Sequence, residues 1–125
     1  MNERPVVSIA RLADQNDSEE QVRASLDELL KPLGGIRSYV RPGSKVLLKP
    51  NQTLFMPHKS GSTTAPPLIR VLVDRCFDAG AKEVWVAEAV GHAQRSRSVM
   101  DKTGMVKGVS QTRAHMIYLD EIAHG

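Results

Sequence analysis

The sequence predicts an α/β fold: a mostly parallel sheet of about four strands with helices packed on it in a Rossmann-like layer architecture. Three observations carry this expectation. Short apolar runs rich in β-branched residues occur at residues 6–10, 45–49, 83–87 and 115–119. Segments with apolar residues at the spacing of one helical face lie between them. Gly, Pro, Asn, Asp and Ser clusters punctuate the junctions.

Residues 6–10, between Pro5 and Arg11, read as a buried first strand. From Glu19, the positions Val22, Leu26, Leu29, Leu30 and Leu33 recur on one helical face. Asp17 or Ser18 stands where an N-cap belongs, and Glu19 and Glu20 favour the positive helix start. Pro32 and the Gly34-Gly35 pair end that helix. Arg41-Pro42-Gly43-Ser44 signals a tight turn into the second strand, 45–49, which Pro50 stops. Residues 52–63 follow without any period, a loop longer than ordinary compact connections and therefore the first place to look for function. Thr63 or Thr64 is expected to cap the next helix, with Pro66 and Pro67 in its first turn and Leu68, Ile69, Leu72, Val73, Cys76 and Phe77 as its apolar stripe. Gly80 ends it, and 83–87 form the third strand. A strand, helix, strand unit of this kind implies a parallel pair with a right-handed crossover. Residues 96–102 read as a short helix with Ser98 and Asp101 resembling a capping box and Gly104 as its stop. Residues 115–119 read as the fourth strand, ending at Asp120 and Glu121. With no repeat and no linker, residues 1–125 are expected to form a single α/β domain.

Composition narrows the function classes. The chain is 41% apolar, 25% charged and 4% aromatic, the balance of an ordinary soluble domain, not of a disordered or fibrous one. One cysteine excludes an internal disulfide framework and fits a reducing cytoplasm. No run approaches the roughly 20 apolar residues of a membrane span, and the first residues lack the apolar core of a secretory signal. A net charge of +3 is mild and points to anionic ligands more than to a nucleic-acid surface.

In an open parallel sheet, ligands bind beyond the carboxyl ends of the strands. That edge would collect Arg11, then Lys49, Asn51 and Thr53, then Glu88, Gly91 and His92, then Asp120. Thr63 and Thr64 would open the second helix, whose N–H groups can hold an anion. Lys49 supplies charge, Asn51, Thr63 and Thr64 supply directed hydrogen bonds, and Gly91 and His92 complete the rim. Glu88 is the candidate catalytic acceptor of a proton or ligand hydroxyl, and Lys49 is named with it as a candidate catalytic residue. Structural alternatives stand beside each: Thr64 as a helix cap, Asn51 as a turn closure, Gly91 as a positive-φ position. His58, His92, His115 and His124 are dispersed without ligand spacing, so no metal site is expected. Cys76 falls on an apolar stripe, where a buried small side chain is the ordinary reading. Neither G-x-G-x-x-G nor the Walker pattern occurs. Residues 92–113 hold Arg95, Arg97, Lys102, Lys107 and Arg113 against Asp101, but no aromatic residue interleaves them, which favours a solvated helix face over nucleic-acid binding.

These segments also fall in a familiar order. Pro42-Gly43-Ser44-Lys45-Val46-Leu47-Leu48-Lys49-Pro50-Asn51, then Ser62-Thr63-Thr64-Ala65-Pro66, then Ala79-Gly80-Ala81-Lys82-Glu83-Val84 and Glu88-Ala89-Val90-Gly91 resemble the domain of unknown function 362 family. Residues 96–104 and Tyr118-Leu119-Asp120 fit the same pattern. The resemblance implies an α/β fold, the amino-terminal portion of a longer pattern, and a focus on Lys49, Asn51, Thr64, Glu88 and Gly91. It also implies proximity to redox chemistry, because many members carry or lie beside a cysteine-rich segment binding 4Fe-4S clusters. Cys76 alone supplies no ligand set for such a cluster, and the cofactor stays unknown. Three functions are therefore weighed: an anion-binding part of an enzyme, a non-catalytic module that self-associates into a homodimer, and nucleic-acid binding through 92–113.

Overall fold

A computed structural model describes residues 3–13, 17–52, 55–90 and 95–122. The first helix, α1 (Glu19–Leu30), starts where Ser18 Oγ accepts from Gln21 N and buries Val22 and Leu26. Pro32 tightens its end into a 3-10 turn over Lys31–Leu33, closed by Gly34 in the left-handed region. Then come β1 (Lys45–Leu48), α2 (Pro66–Asp78), β2 (Glu83–Glu88), α3 (Ser96–Lys102), α4 (Met105–Ser110), β3 (His115–Tyr118) and the single turn α5 (Leu119–Ile122).

Among the described residues the sheet has three strands in the order β1-β2-β3, all parallel. The register sets Val46 beside Val84, Leu48 beside Val86 and Val86 beside Met116. Strand alternation therefore puts these apolar side chains on one face. There they pack with Ile69, Val73 and Cys76 of α2, Met100 of α3, and Met105 and Val109 of α4. A second apolar cluster, Val22, Leu26 and Val71, joins α1 to the outer side of α2. Gly80 allows the return from α2 into β2: its φ is +96°, and a Cβ there would sit 3.0 Å from Pro42 Cα.

Two expectations are corrected. Residues 6–10 do not form a strand, so the sheet falls one short of four. Val6, Val7 and Ile9 are 63%, 82% and 88% exposed, and Ser8 Oγ bonds the Leu29 carbonyl of α1 instead of a sheet edge. The physical reason is that a short apolar run, here interrupted by Ser8, specifies neither a pairing partner nor, by itself, burial. The Rossmann-like layering is also incomplete. The opposite sheet face, with Lys45, Leu47, Glu83, Trp85, His115 and Ile117, carries no helix among the described residues, and Leu47 is 59% exposed. Trp85 stacks on His115 with ring centroids 4.4 Å apart and donates to Glu83 Oε2.

Smaller differences are local. The Ser98–Asp101 capping box does not form, since Arg95 stands at the N-cap of α3. Helix α4 was not expected from the sequence. Gly108 at its centre lets it approach α2, where a Cβ would meet Pro66 Cβ at 3.1 Å. No helix among the described residues is long and apolar enough to cross a membrane.

Candidate functional site

Beyond β1 the long loop is closed at its neck by Asn51, from the strand-end group, and by Thr63 and Thr64, from the expected start of the second helix. Asn51 N donates to Thr64 Oγ1 and Thr64 N donates to Asn51 O, both at 2.9 Å. Asn51 Nδ2 donates to the Ser62 carbonyl, Thr63 Oγ1 donates to the Met56 carbonyl, and Gln52 and Thr63 form an isolated antiparallel bridge. Asn51, Thr63 and Thr64 are thus brought together, with their hydrogen bonds directed at the loop itself. Thr64 does not cap α2, which begins at Pro66 after the N-cap Ala65. Pro66 and Pro67 have no N–H, so two of the usual anion donors at this helix start are missing. The start of α2 therefore offers an anion fewer backbone donors than an ordinary helix start.

Glu88 ends β2 with its side chain 4% exposed. Its Oε2 accepts from Gln52 N at 3.0 Å, while Oε1 accepts from Ala89 N and from Lys49 Nζ, each at 2.9 Å. A buried carboxylate is tolerable only when paired and hydrogen-bonded in this manner. The result ties the loop neck to the middle strand. Lys49 is 62% exposed and keeps its other N–H groups toward solvent. Gln52, fully buried, is a residue that sequence reasoning missed; Nε2 donates to the Thr64 carbonyl, while Oε1 has no partner among the described residues.

Asp120, picked from the sequence as a strand-end residue, acts as the cap of α3 from 24 residues away. Its Oδ2 accepts from Ser96 N at 3.0 Å, and Ser96 Oγ accepts from Val90 N. The Ser96 backbone N–H holds the Asp120 carboxyl below its ordinary value of 3.8. A carboxylate with a depressed folded-state value stabilises above its unfolded value and loses that contribution as pH falls through the folded one. Asp120→Ala is expected to cost about 1 kcal/mol at neutral pH, as for other lost caps. The difference from wild type should shrink in urea titrations carried to progressively more acidic pH below 3.8.

A cleft of about 560 Å³ opens where α2 begins, lined by Arg11, His58, Lys59, Asp17, Ala10, Leu12 and Ala65. Arg11 was among the strand-end residues, whereas His58 and Lys59 were missed individually although their loop was singled out. Residues 58–60 form a 3-10 turn that projects both toward the cleft. His58 Nε2 lies 2.7 Å from Asp17 Oδ2, and this contact, reinforced by the nearby charge of Lys59, draws the Asp17 carboxyl below its usual range against the opposing effect of burial. Thr53, Gly91, His92 and His124 lie outside the described residues.

In the basic segment, Arg97, Lys102 and Arg113 each lie over an aromatic ring, of Tyr118, Phe55 and Phe77 respectively. Arg97 also pairs with Glu121 at 2.8 Å. Cys76 is buried on α2, and burial raises its thiol above the ordinary range. No group of three or more His, Cys, Asp or Glu among the described residues is arranged to hold a metal ion.

The chain is similar to the thylakoid-associated protein sll1697 of Synechocystis sp. (strain ATCC 27184 / PCC 6803 / Kazusa), 37% identical over 79 residues. That match covers 62% of this chain and 24% of the cyanobacterial protein, so the chain spans about a quarter of the length of that relative. No solved structure matches. The model of the family described as Domain of unknown function (DUF362) matches residues 46–124, from β1 through β3 and beyond, and the chain belongs to that family.

Proposed function

We propose that the chain binds a small molecule carrying a phosphate or carboxylate in the cleft where β1 leads through its loop into α2. The observation that carries this reading is the convergence of Arg11, His58 and Lys59 on one cleft of about 560 Å³. A guanidinium offers a planar fork to two anion oxygens, an ammonium adds a point charge, and His58 is oriented by Asp17. Lys49, at the end of β1, adds exposed positive charge beyond the same strand. Glu88 supports the site by positioning the loop neck; with both oxygens engaged, its geometry gives little support to a general-base role. If turnover of the ligand is redox chemistry, the cluster must come from outside this chain, whose one cysteine is buried.

Isothermal titration calorimetry with inorganic phosphate tests the reading. Arg11→Ala combined with Lys59→Ala should weaken binding by more than about tenfold, since the loss of one charge-assisted contact alone gives about that much and two are removed. Unchanged affinity in the double variant would reject it.

A second reading rests on the bare sheet face. Parallel sheets are normally covered on both sides, and the 59% exposed Leu47 next to Trp85 marks a face suited to a second copy of the chain. Light scattering should then show a dimer that Leu47→Lys returns to monomer. A wild-type monomer at high concentration removes this alternative.

A further inference from the structure

Behind the cationic cleft lies an apolar chamber of about 230 Å³ between α1, α2 and the segment leading to Leu12. Leu12, Val22, Leu26, Leu29 and Leu68 form its walls, with Ser25 at one side. The chamber and the cleft share Ala10, Leu12, Asp17 and Ala65, so the two adjoin. Apolar walls of this kind give water few partners and leave their own surface without dispersion contacts. The mouth, in contrast, carries Arg11, His58 and Lys59.

We propose that the ligand is a single-chain amphiphile, a phosphate ester or carboxylate whose anionic group sits between Arg11 and Lys59 and whose unbranched tail enters the chamber. The proposal rests on the anion-binding reading for its head group and goes beyond it for the tail. At roughly 30 Å³ per non-hydrogen atom the chamber accepts about seven or eight tail atoms. That is room for one chain and not for the two chains of a membrane lipid. Ser25 and the Asp17 shared with the cleft supply the polar groups of an otherwise apolar lining, and Asp17 is already paired with His58.

The test is calorimetric titration of the full 125-residue chain with inorganic phosphate, butyl phosphate, octyl phosphate and octan-1-ol, all below micelle formation. Affinity should rise about fourfold per methylene and level off near eight carbons. Octan-1-ol should bind at least about tenfold more weakly than octyl phosphate, for want of the charge-assisted contacts. Ser25→Leu, which fills the chamber, should abolish the chain-length dependence. Equal affinities for phosphate and octyl phosphate would overturn the amphiphile proposal while leaving the anion site standing. Octan-1-ol binding as tightly as octyl phosphate would overturn the placement of the head group. Absence of binding by every probe would overturn both readings. Chain-length dependence that survives in Ser25→Leu would place the tail elsewhere and also overturn the proposal, as would binding only to phosphatidic acid vesicles.

Discussion

Glu88→Leu is expected to lower the free energy of unfolding by about 3 kcal/mol and to free the loop neck. Leucine fills similar space, but the backbone N–H groups of Gln52 and Ala89 lose their acceptor. The Gln52 N–H is buried and bears most of the cost, at the upper end of the roughly 1–3 kcal/mol for an orphaned donor. Ala89 is exposed, so its N–H recovers part of its loss from water. Lys49 returns to solvent at little cost because it is already mostly exposed. Glu88→Gln retains one acceptor oxygen and should lose less than half as much. Urea denaturation gives the stability, and amide exchange at Gln52 reports the neck directly. Exchange there should accelerate in Glu88→Leu before global unfolding does. A leucine variant as stable as wild type would show that the carboxylate holds nothing.

Met105→Ala is expected to cost about 3 kcal/mol through a different mechanism. Met105 is fully buried where α2, α4 and the sheet meet, beside the equally buried Met100. Alanine is the better helix former, so propensity works against any loss. The loss therefore measures lost apolar transfer plus a residual cavity, which together run to about 2–5 kcal/mol for large-to-small core changes. Met105→Leu, nearly volume-conserving, should stay below about 1.5 kcal/mol. A loss below about 1 kcal/mol for Met105→Ala would mean that α4 collapses onto the gap or is not packed as described.

The contrast between these positions shows what a sequence pattern can convey. Val46 with Leu48, Val84 with Val86, and Met116 were readable as strand residues because each run is short, apolar and bounded by turn residues, and all join the core. Residues 6–10 look alike but meet α1, because composition does not name a pairing partner. Helix α4 escaped notice since six residues with a central glycine and a lysine resemble a loop. Its glycine is there to meet Pro66. Lys49, Asn51 and Glu88, picked by the strand-end rule, and Thr63 and Thr64, picked as helix openers, do lie in one hydrogen-bonded neighbourhood. Neither rule could say that most of those bonds close on one another. Asp120 as a cap for Ser96, and Gln52 as a buried amide, depend on tertiary contacts 24 and 36 residues apart that no local pattern encodes. The aperiodic sequence of residues 52–63 did give a usable signal. Its aperiodic stretch with His58 and Lys59 supplies two walls of the cleft.

The central claim, that an anion is held in the cleft at the start of α2, is tested most directly by a two-dimensional amide NMR titration with inorganic phosphate. The expected result is saturable shifts confined to Arg11, His58, Lys59 and Ala65 and their neighbours, abolished by Arg11→Ala with Lys59→Ala. Shifts that never saturate, or that centre on Arg95, Lys102 and Lys107 instead, would contradict it.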